Sequence, residues 1–475
     1  MKAGVGRLNT KVIKSLATLA VGAGIWFSPM PAGITAQAWH LLAIFVATIV
    51  GFILNPIPIG AIAFTSISLS VLLKVLKPGE ALSGFADTTV WLIVAAFLFA
   101  KGFIKTGLGR RIAYNIMHAI GDSTLKLAYA LMLSDVIISP ATPSNTARAG
   151  GILFPIVRSL ASAFGSEPDK GPRRMGAFLM VCAFQVNCVT STMFLTSMSP
   201  NPLIASLAVK AVPGLDMTWG LWALAASVPA ICSLLVVPYL LYKIFPPEIT
   251  HTPEAKILAA DELKKMGPMS KGEKIVSFVF VLCLGLWATA EITKLNATNI
   301  AMIGVTIMLW TNTLTWEDVI QDKAAWDAMI WMGSLVCLAG FLTKFGLISL
   351  FAKAVSASIT GIPWLVALLI LLVVYTYTHY FFASTSAHVT AMFAAFLTVA
   401  IAAGAPPFLA AFSLAFMSGL YCGLTHYGNG PASIYFGAGF LSQSTFWRLG
   451  FITCSVNVLI YLTIGTAWWK VIGLW

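Results

Sequence analysis

Ser139-Pro140-Ala141-Thr142-Pro143-Ser144-Asn145-Thr146-Ala147-Arg148-Ala149-Gly150-Gly151 is a polar run, broken by proline and glycine, between two apolar segments. In hydrocarbon an irregular backbone strands its N–H and C=O groups, so such a run survives only where protein or a wet cavity surrounds it. A partner stretch lies 240 positions on, from 144 to 384: Ser384-Thr385-Ser386-Ala387-His388 again sets three small polar residues, an alanine and a base in order. Two such breaks, one per half, predict a two-fold binding site.

The rest of the chain is bilayer-like. Of 475 residues 59% are hydrophobic and 10% charged, against roughly 25% charged in soluble domains. The mean hydropathy is +0.88. Apolar runs of about 20 residues, enough to cross a membrane as helices, recur from end to end. The fold expected is an all-α polytopic membrane protein with about 11 transmembrane helices and two re-entrant hairpins. The net charge of +12 does not point to nucleic acid, because the bases sit in short segments between apolar runs. The positive-inside rule accounts for them. Lys2, Arg7, Lys11 and Lys14 precede the first run without a cleavage site, which predicts a retained helix and a cytoplasmic N-terminus. The seven cysteines are scattered through apolar runs, without a CxxC pair or a His-Cys cluster, and read as small buried thiols.

In order, helices are expected near 13–27, 37–54, 59–75 and 89–104. Arms 125–138 and 151–164 then flank the first break, each too short to span comfortably and each basic at its outer end, so they predict a hairpin from the cytoplasmic side. A helix from 176 runs into a second break, Thr196-Ser197-Met198-Ser199-Pro200-Asn201-Pro202, and one at 221–244 follows. The Lys- and Glu-rich segment 247–274 is a cytoplasmic linker. Helices near 275–290, 299–314 and 329–342 lead to arms 364–382 and 391–403, then to 408–424, the break Thr425-His426-Tyr427-Gly428-Asn429-Gly430-Pro431, and 450–468. Gly102–Leu108 is echoed at Gly340–Leu347 with one insertion. An odd number of spans inverts the second half and puts the C-terminus outside, as in inverted-repeat transporters.

Half-helices ending at such breaks aim their amides, and about half a positive charge each, at a small anion. Ser144, Asn145, Thr146, Ser384, Thr385 and Ser386 offer neutral hydrogen bonds to carboxylate oxygens, with Ser199, Asn201 and His426 added by the broken helices. Ser197, Pro200, Thr425 and Asn429 shape the helix breaks. The competing account is that these small residues only cap or bridge helices. Arg148 and His388, two positions after their triplets, are candidate charge-compensating residues by their intramembrane position. Their alternatives are a structural pair of Arg148 with Asp135 and a neutral, hydrogen-bonded His388. An intramembrane enzyme is disfavoured: Ser386 and His388, at i and i+2, point apart on a helix, and no GxSxG, HExxH, P-loop or GxGxxG pattern occurs in a workable context. No metal site and no cofactor are expected.

The two triplets with the 199–202 and 425–428 breaks resemble the divalent anion:sodium symporter family over essentially the whole chain. Ser144-Asn145-Thr146 matches its Ser-Asn-Thr signature, while Ser384-Thr385-Ser386 departs at its second and third positions. With Arg148 and His388 that departure is similar to the exchanger branch, which includes bacterial citrate or tartrate/succinate antiporters and plastid 2-oxoglutarate/malate translocators. The resemblance implies a homodimer in a lipid bilayer, in a bacterial inner membrane, working as an elevator. Scaffold segments 1–122 and 275–362 would hold mobile segments 123–246 and 363–475. It implies exchange of di- or tricarboxylates (malate, succinate, 2-oxoglutarate, tartrate or citrate) without Na⁺, the two bases standing in for Na⁺; the alternative is Na⁺-coupled symport.

Overall fold

The computed structural model describes the chain except Met1, Pro213, 348, 349 and 351–360, so part of the expected scaffold segment 275–362 lies outside the described residues. The described residues are helical, with one isolated antiparallel bridge between Ser123 and His251. The helices run in order as α1 Lys2–Trp26, α2 Ala36–Leu54, α3 Ile59–Leu72, α4 Pro78–Ala81, α5 Thr88–Thr106, α6 Leu108–Ile120 and α7 Thr124–Ile138. Then come α8 Phe154–Ala163, α9 Gly176–Met193, α10 Pro200–Ala211, α11 Trp219–Ile244 and α12 Pro253–Met266. The second half holds α13 Lys271–Ala288, α14 Ala290–Thr293, α15 Ala297–Trp310, α16 Trp316–Ile320 and α17 Lys323–Lys344. It continues with α18 Trp364–Tyr377, α19 Thr385–Ala402, α20 Pro407–Leu420, α21 Gly430–Gly437, α22 Gln443–Ile460 and α23 Thr466–Val471.

Among the described residues nine helical stretches are long and apolar enough to cross a membrane. Three of them are hairpin arms, 124–141, 364–381 and 385–402. The incoming arm of the first hairpin, expected over 125–138 as too short to span, is thus long enough with its 3-10 end, while the incoming arm of the second runs over 364–381, close to the expected 364–382. Short 3-10 turns, Ser139–Ala141 and Thr378–Phe381, extend the incoming arms. The returning arms begin inside the polar triplets, at Asn145 and Thr385, because the first serine of each triplet, Ser144 or Ser384, serves as helix cap.

The halves repeat one order: α2, α3, α5, hairpin, α9, break, α10, α11, then α13, α15, α17, hairpin, α20, break, α21, α22. The sequence echo marks one shared turn. Gly107 and Gly346 both take φ of +78° where α5 and α17 end, a left-handed conformation that closes helices and favours glycine. All eighteen residues of α9 are buried, so its polar side chains, Gln185, Asn187, Thr190, Ser191 and Thr192, must find their partners inside the protein. It crosses to the second half through Gln185, whose Nε2 donates to Gly423 O at 3.0 Å and whose Oε1 accepts from Thr453 Oγ1 at 2.8 Å.

Several described helices lie outside the expected ranges, among them α6, α12 and the half-helices α10 and α21 that follow the breaks. The amphipathic α6 and the α12 of the linker pack on each other, so segment 247–274 is partly a built element. Arg111 of α6 joins Glu273, at the start of α13, at 2.5 Å. Nearby, Lys105 meets Asp318 at 2.5 Å. Burial raises the Asp318 carboxyl, but Lys105 and the Thr315 backbone and hydroxyl outweigh it and hold it down at about 2.

Candidate functional site

In the first hairpin Ser144 Oγ accepts from Ala147 N–H at 3.1 Å, capping the returning arm. Residues Ala147–Leu153 then form a wide π turn, a local geometry frequent at functional sites. Arg148 lies in this turn, completely buried. A guanidinium has five N–H donors, and five contacts receive them. Nε donates to Asp135 Oδ1 at 2.6 Å, and Nη1 to the carbonyls of Thr142 at 2.8 Å and Ser197 at 2.9 Å. Nη2 donates to Thr190 Oγ1 at 3.3 Å and Ser191 Oγ at 3.2 Å. Asp135 also accepts from Asn187 Nδ2 at 3.1 Å and from the Thr190 hydroxyl.

Arg148 thus ties together the incoming arm, the hairpin tip, α9 and the first helix break. Its charge is met by Asp135 inside the protein, and no N–H is left over for a substrate. The break is otherwise self-satisfied, as buried irregular backbone must be. Asn201 Nδ2 donates to the carbonyls of Ser191 and Phe194 at 2.8 and 3.0 Å, and Ser197 Oγ to Phe194 O at 2.6 Å. Thr196 Oγ1 donates to Pro140 O, a second tie to the hairpin. Asn201 Oδ1 is buried without a partner among the described residues. Pro200 opens α10 where a missing N–H costs nothing.

In the second half Ser384 Oγ caps α19 at Ala387 N, 3.4 Å away, and Thr385 Oγ1 meets Cys422 Sγ at 3.1 Å. Asn429 caps α21 by accepting from Ala432 N–H through Oδ1 at 2.8 Å. Among the described residues Thr425 Oγ1 is buried without a hydrogen-bond partner. His426 is fixed from outside the break by Trp447 Nε1, which donates to its Nδ1 at 2.9 Å. His388 sits in an aromatic box with Phe382 and Tyr421 rings at 4.5 Å and Tyr375 at 4.8 Å. Its neighbour His379 carried no signal in the sequence, because a lone histidine in an apolar arm has no spacing to betray it.

The structure therefore sorts the expected residues. Ser144, Ser384 and Asn429 cap helices, Thr385, Ser197 and the Asn201 amide nitrogen are bonded internally, and Arg148 is saturated. Asn145, Thr146, Ser199 and Ser386 remain at least partly exposed, and none of their side chains is hydrogen-bonded within the described residues. The halves interlock. α10 packs on α19 of the second hairpin, and the first hairpin lies on α21, where a Cβ on Gly430 would come within 2.2 Å of Thr146 Oγ1 and one on Gly150 within 2.4 Å of Ile434. No hydrogen bond among the described residues joins 144–146 to 384–386.

Gly430→Ala therefore pushes the tip of the first hairpin aside. If the 144–146 triplet holds substrate, affinity is expected to fall about tenfold, the equivalent of one misplaced hydrogen bond. The double variant Gly430→Ala/Thr146→Ala should separate lost space from a lost hydroxyl, by regaining hairpin position without regaining full affinity. Unchanged affinity in Gly430→Ala would remove Thr146 from the site.

The profile of the family described as Sodium:sulfate symporter transmembrane region matches residues 9–475. YflS of Bacillus subtilis, provisionally named a malate transporter, is 51% identical over 98% of this chain and 97% of its own length. Dicarboxylate transporter 1, chloroplastic, of Arabidopsis thaliana is 47% identical over 97% of this chain and 83% of its own. In fold the chain is similar to the YdaH transporter of Alcanivorax borkumensis, with a TM-score of 0.56 at 13% identity over 99% of this chain and 98% of that one. With its paired hairpins, its broken helices and a match along nearly its whole length, the chain is a multi-pass integral membrane protein of the divalent anion:sodium symporter family.

Proposed function

We propose that this protein is a secondary carrier that exchanges small dicarboxylates across the membrane, without Na⁺, by elevator-like movement of its hairpins and broken helices. One observation carries the Na⁺-independent part of this reading: the Arg148 guanidinium already bridges the carbonyls of Thr142 in the hairpin and Ser197 in the break. Two carbonyls converging on one point are a place for a hard cation. Here a covalently attached cation takes it, with Asp135 as its fixed counter-ion. A hairpin already tied to its break in this way needs no bound Na⁺ to assemble the site.

Since Arg148 is balanced, the positive potential that a substrate cancels comes from the helix ends at Asn145, Thr385, Pro200 and Gly430, about half an elementary charge each. The uncommitted Asn145, Thr146, Ser199 and Ser386 then supply hydrogen bonds to carboxylate oxygens. An empty site keeps its positive potential, which opposes its passage through the low-dielectric scaffold; a dianion relieves it, so movement favours the loaded form in both directions. The names of the relatives support malate and other dicarboxylates as substrates, carried unchanged. The seam between the proposed scaffold and moving parts supports sliding. An apolar cavity of about 480 Å³ lies there, lined by residues such as Trp39, Leu335, Leu203 and Ala394. One ion pair, Lys210–Asp87 at 3.4 Å, crosses beside it. A cytoplasmic N-terminus, an inverted second half and a homodimer complete the proposal.

Proteoliposomes with and without internal dicarboxylate, assayed with and without Na⁺, test the proposal. Uptake of labelled malate should require internal dicarboxylate and ignore Na⁺. Uptake into empty vesicles that depends on Na⁺ would replace exchange by symport.

A further inference from the structure

The Nδ1 atoms of His379 and His388 lie 3.1 Å apart, with both rings buried and their centroids at 5.2 Å. Two imidazole nitrogens at that distance share a proton, one donating and the other accepting, since two facing lone pairs repel. His388 Nε2 faces Thr378 Oγ1 at 3.4 Å. Among the described residues His379 Nε2 makes no hydrogen bond of ordinary geometry, and it is directed at the second break beside the Gly428 backbone: a Cβ on Gly428 would meet it at 2.6 Å and Thr425 Oγ1 at 2.9 Å.

The pair is surrounded on its own hairpin by Tyr375, Thr378 and Phe382, on the turn after α20 by Tyr421 and, through Thr385, Cys422, and at the break by Thr425 and Gly428. Tyr375, Tyr421 and Cys422 are the titratable groups among these. No carboxylate and no cation among the described residues contacts either histidine.

The two halves differ here in one instructive respect. Arg148 corresponds to His388 across the offset of 240, from 148 to 388, and Asp135 corresponds across the same offset to Tyr375. The first-half base has a built-in carboxylate; the second-half base has a tyrosine in its place. An imidazolium on the pair would thus stand without an anionic partner until one arrives.

We infer that the His379–His388 pair is a proton-binding site linked to substrate, the incoming dicarboxylate supplying the negative charge that the position of Tyr375 lacks. The inference rests on the dicarboxylate reading above. Proton and substrate then promote each other's binding, because coupling between two sites is reciprocal. The carrier would move a proton together with each dianion.

Calorimetric titration of the detergent-solubilised full-length protein with malate, in two buffers of different ionisation enthalpy, reads the proton directly. Uptake approaching one proton per malate is expected, with Kd weakening by up to about tenfold per pH unit between about pH 6.5 and 8.5, where malate stays a dianion. H379N, which keeps a nitrogen or oxygen near the place of Nδ1, should still bind malate while losing the uptake and flattening the Kd profile. Malate binding without proton uptake, or uptake that persists in H379N, overturns the inference and leaves the dicarboxylate reading standing. If H379N does not fold, H379Q and the wild-type buffer pair decide the same question. Absence of binding by malate, succinate and 2-oxoglutarate alike overturns the dicarboxylate reading and this inference with it.

Discussion

Asp135→Asn is expected to cost the folded protein about 3–5 kcal/mol, the penalty of leaving a buried charge without its partner. Asp135 and Arg148 are both completely buried, and the carboxylate is the only anion among the groups that receive the guanidinium. Arg148→Met should cost a similar amount from the other side, since Asp135 then keeps only Asn187 and Thr190. The double variant Asp135→Asn/Arg148→Met removes both charges and should recover a large part of the loss, as replaced buried ion pairs often do. Thermal unfolding in detergent checks this order, and single variants as stable as the parent would refute it. The double variant also separates stability from function. Folded but without Arg148, it keeps only the Thr196–Pro140 bond between hairpin and break, and dicarboxylate transport should fall sharply.

Gly450→Ala is the second large effect. A Cβ at this position would stand 2.2 Å from Gly423 O and 3.2 Å from Leu424 O. Both are backbone atoms, and Gly423 O is already held by Gln185, so no side-chain rotation relieves the clash. α22 must retreat from the turn that leads into the second break, displacing Thr425 and Asn429. Overpacking of this kind costs about 1–3 kcal/mol, and dicarboxylate transport should fall well below the parent rate. Gly285→Ala is the control: it lies inside α13 with nothing within 4 Å of the added carbon, so stability should stay level or rise by up to about 1 kcal/mol. Equal behaviour of the two variants would show that the close approach of α22 does not matter.

Much of the architecture was legible because bilayer chemistry constrains sequence strongly. A polar triplet between apolar runs has few explanations in a membrane, and its recurrence at a fixed offset exposed the repeat, down to the glycine turn shared by 107 and 346. The returning arms start earlier than composition suggests, since the first serine of each triplet caps a helix that the rest of the triplet begins. α6 and α12 escaped notice because amphipathic helices in basic segments have no long apolar run.

At the site the limits were of another kind. Arg148 was identified by its position after the triplet, but its pairing with Asp135 across the hairpin turn was one alternative among two, and spacing alone could not choose. His379 had no pattern at all. The closeness of Gly430 to Thr146 and of Gly450 to Gly423 involves residues far apart in the chain.

What the sequence determined by itself was the membrane class, the two hairpins, the two breaks and the family they mark, because burial in hydrocarbon forces each unpaired backbone segment to announce itself in local composition. What only the tertiary structure decided was which polar groups are already spent. Hydrogen-bond saturation is a property of converging chains: Arg148 has five donors in any sequence, and only the meeting of hairpin, α9 and break shows that all five are taken.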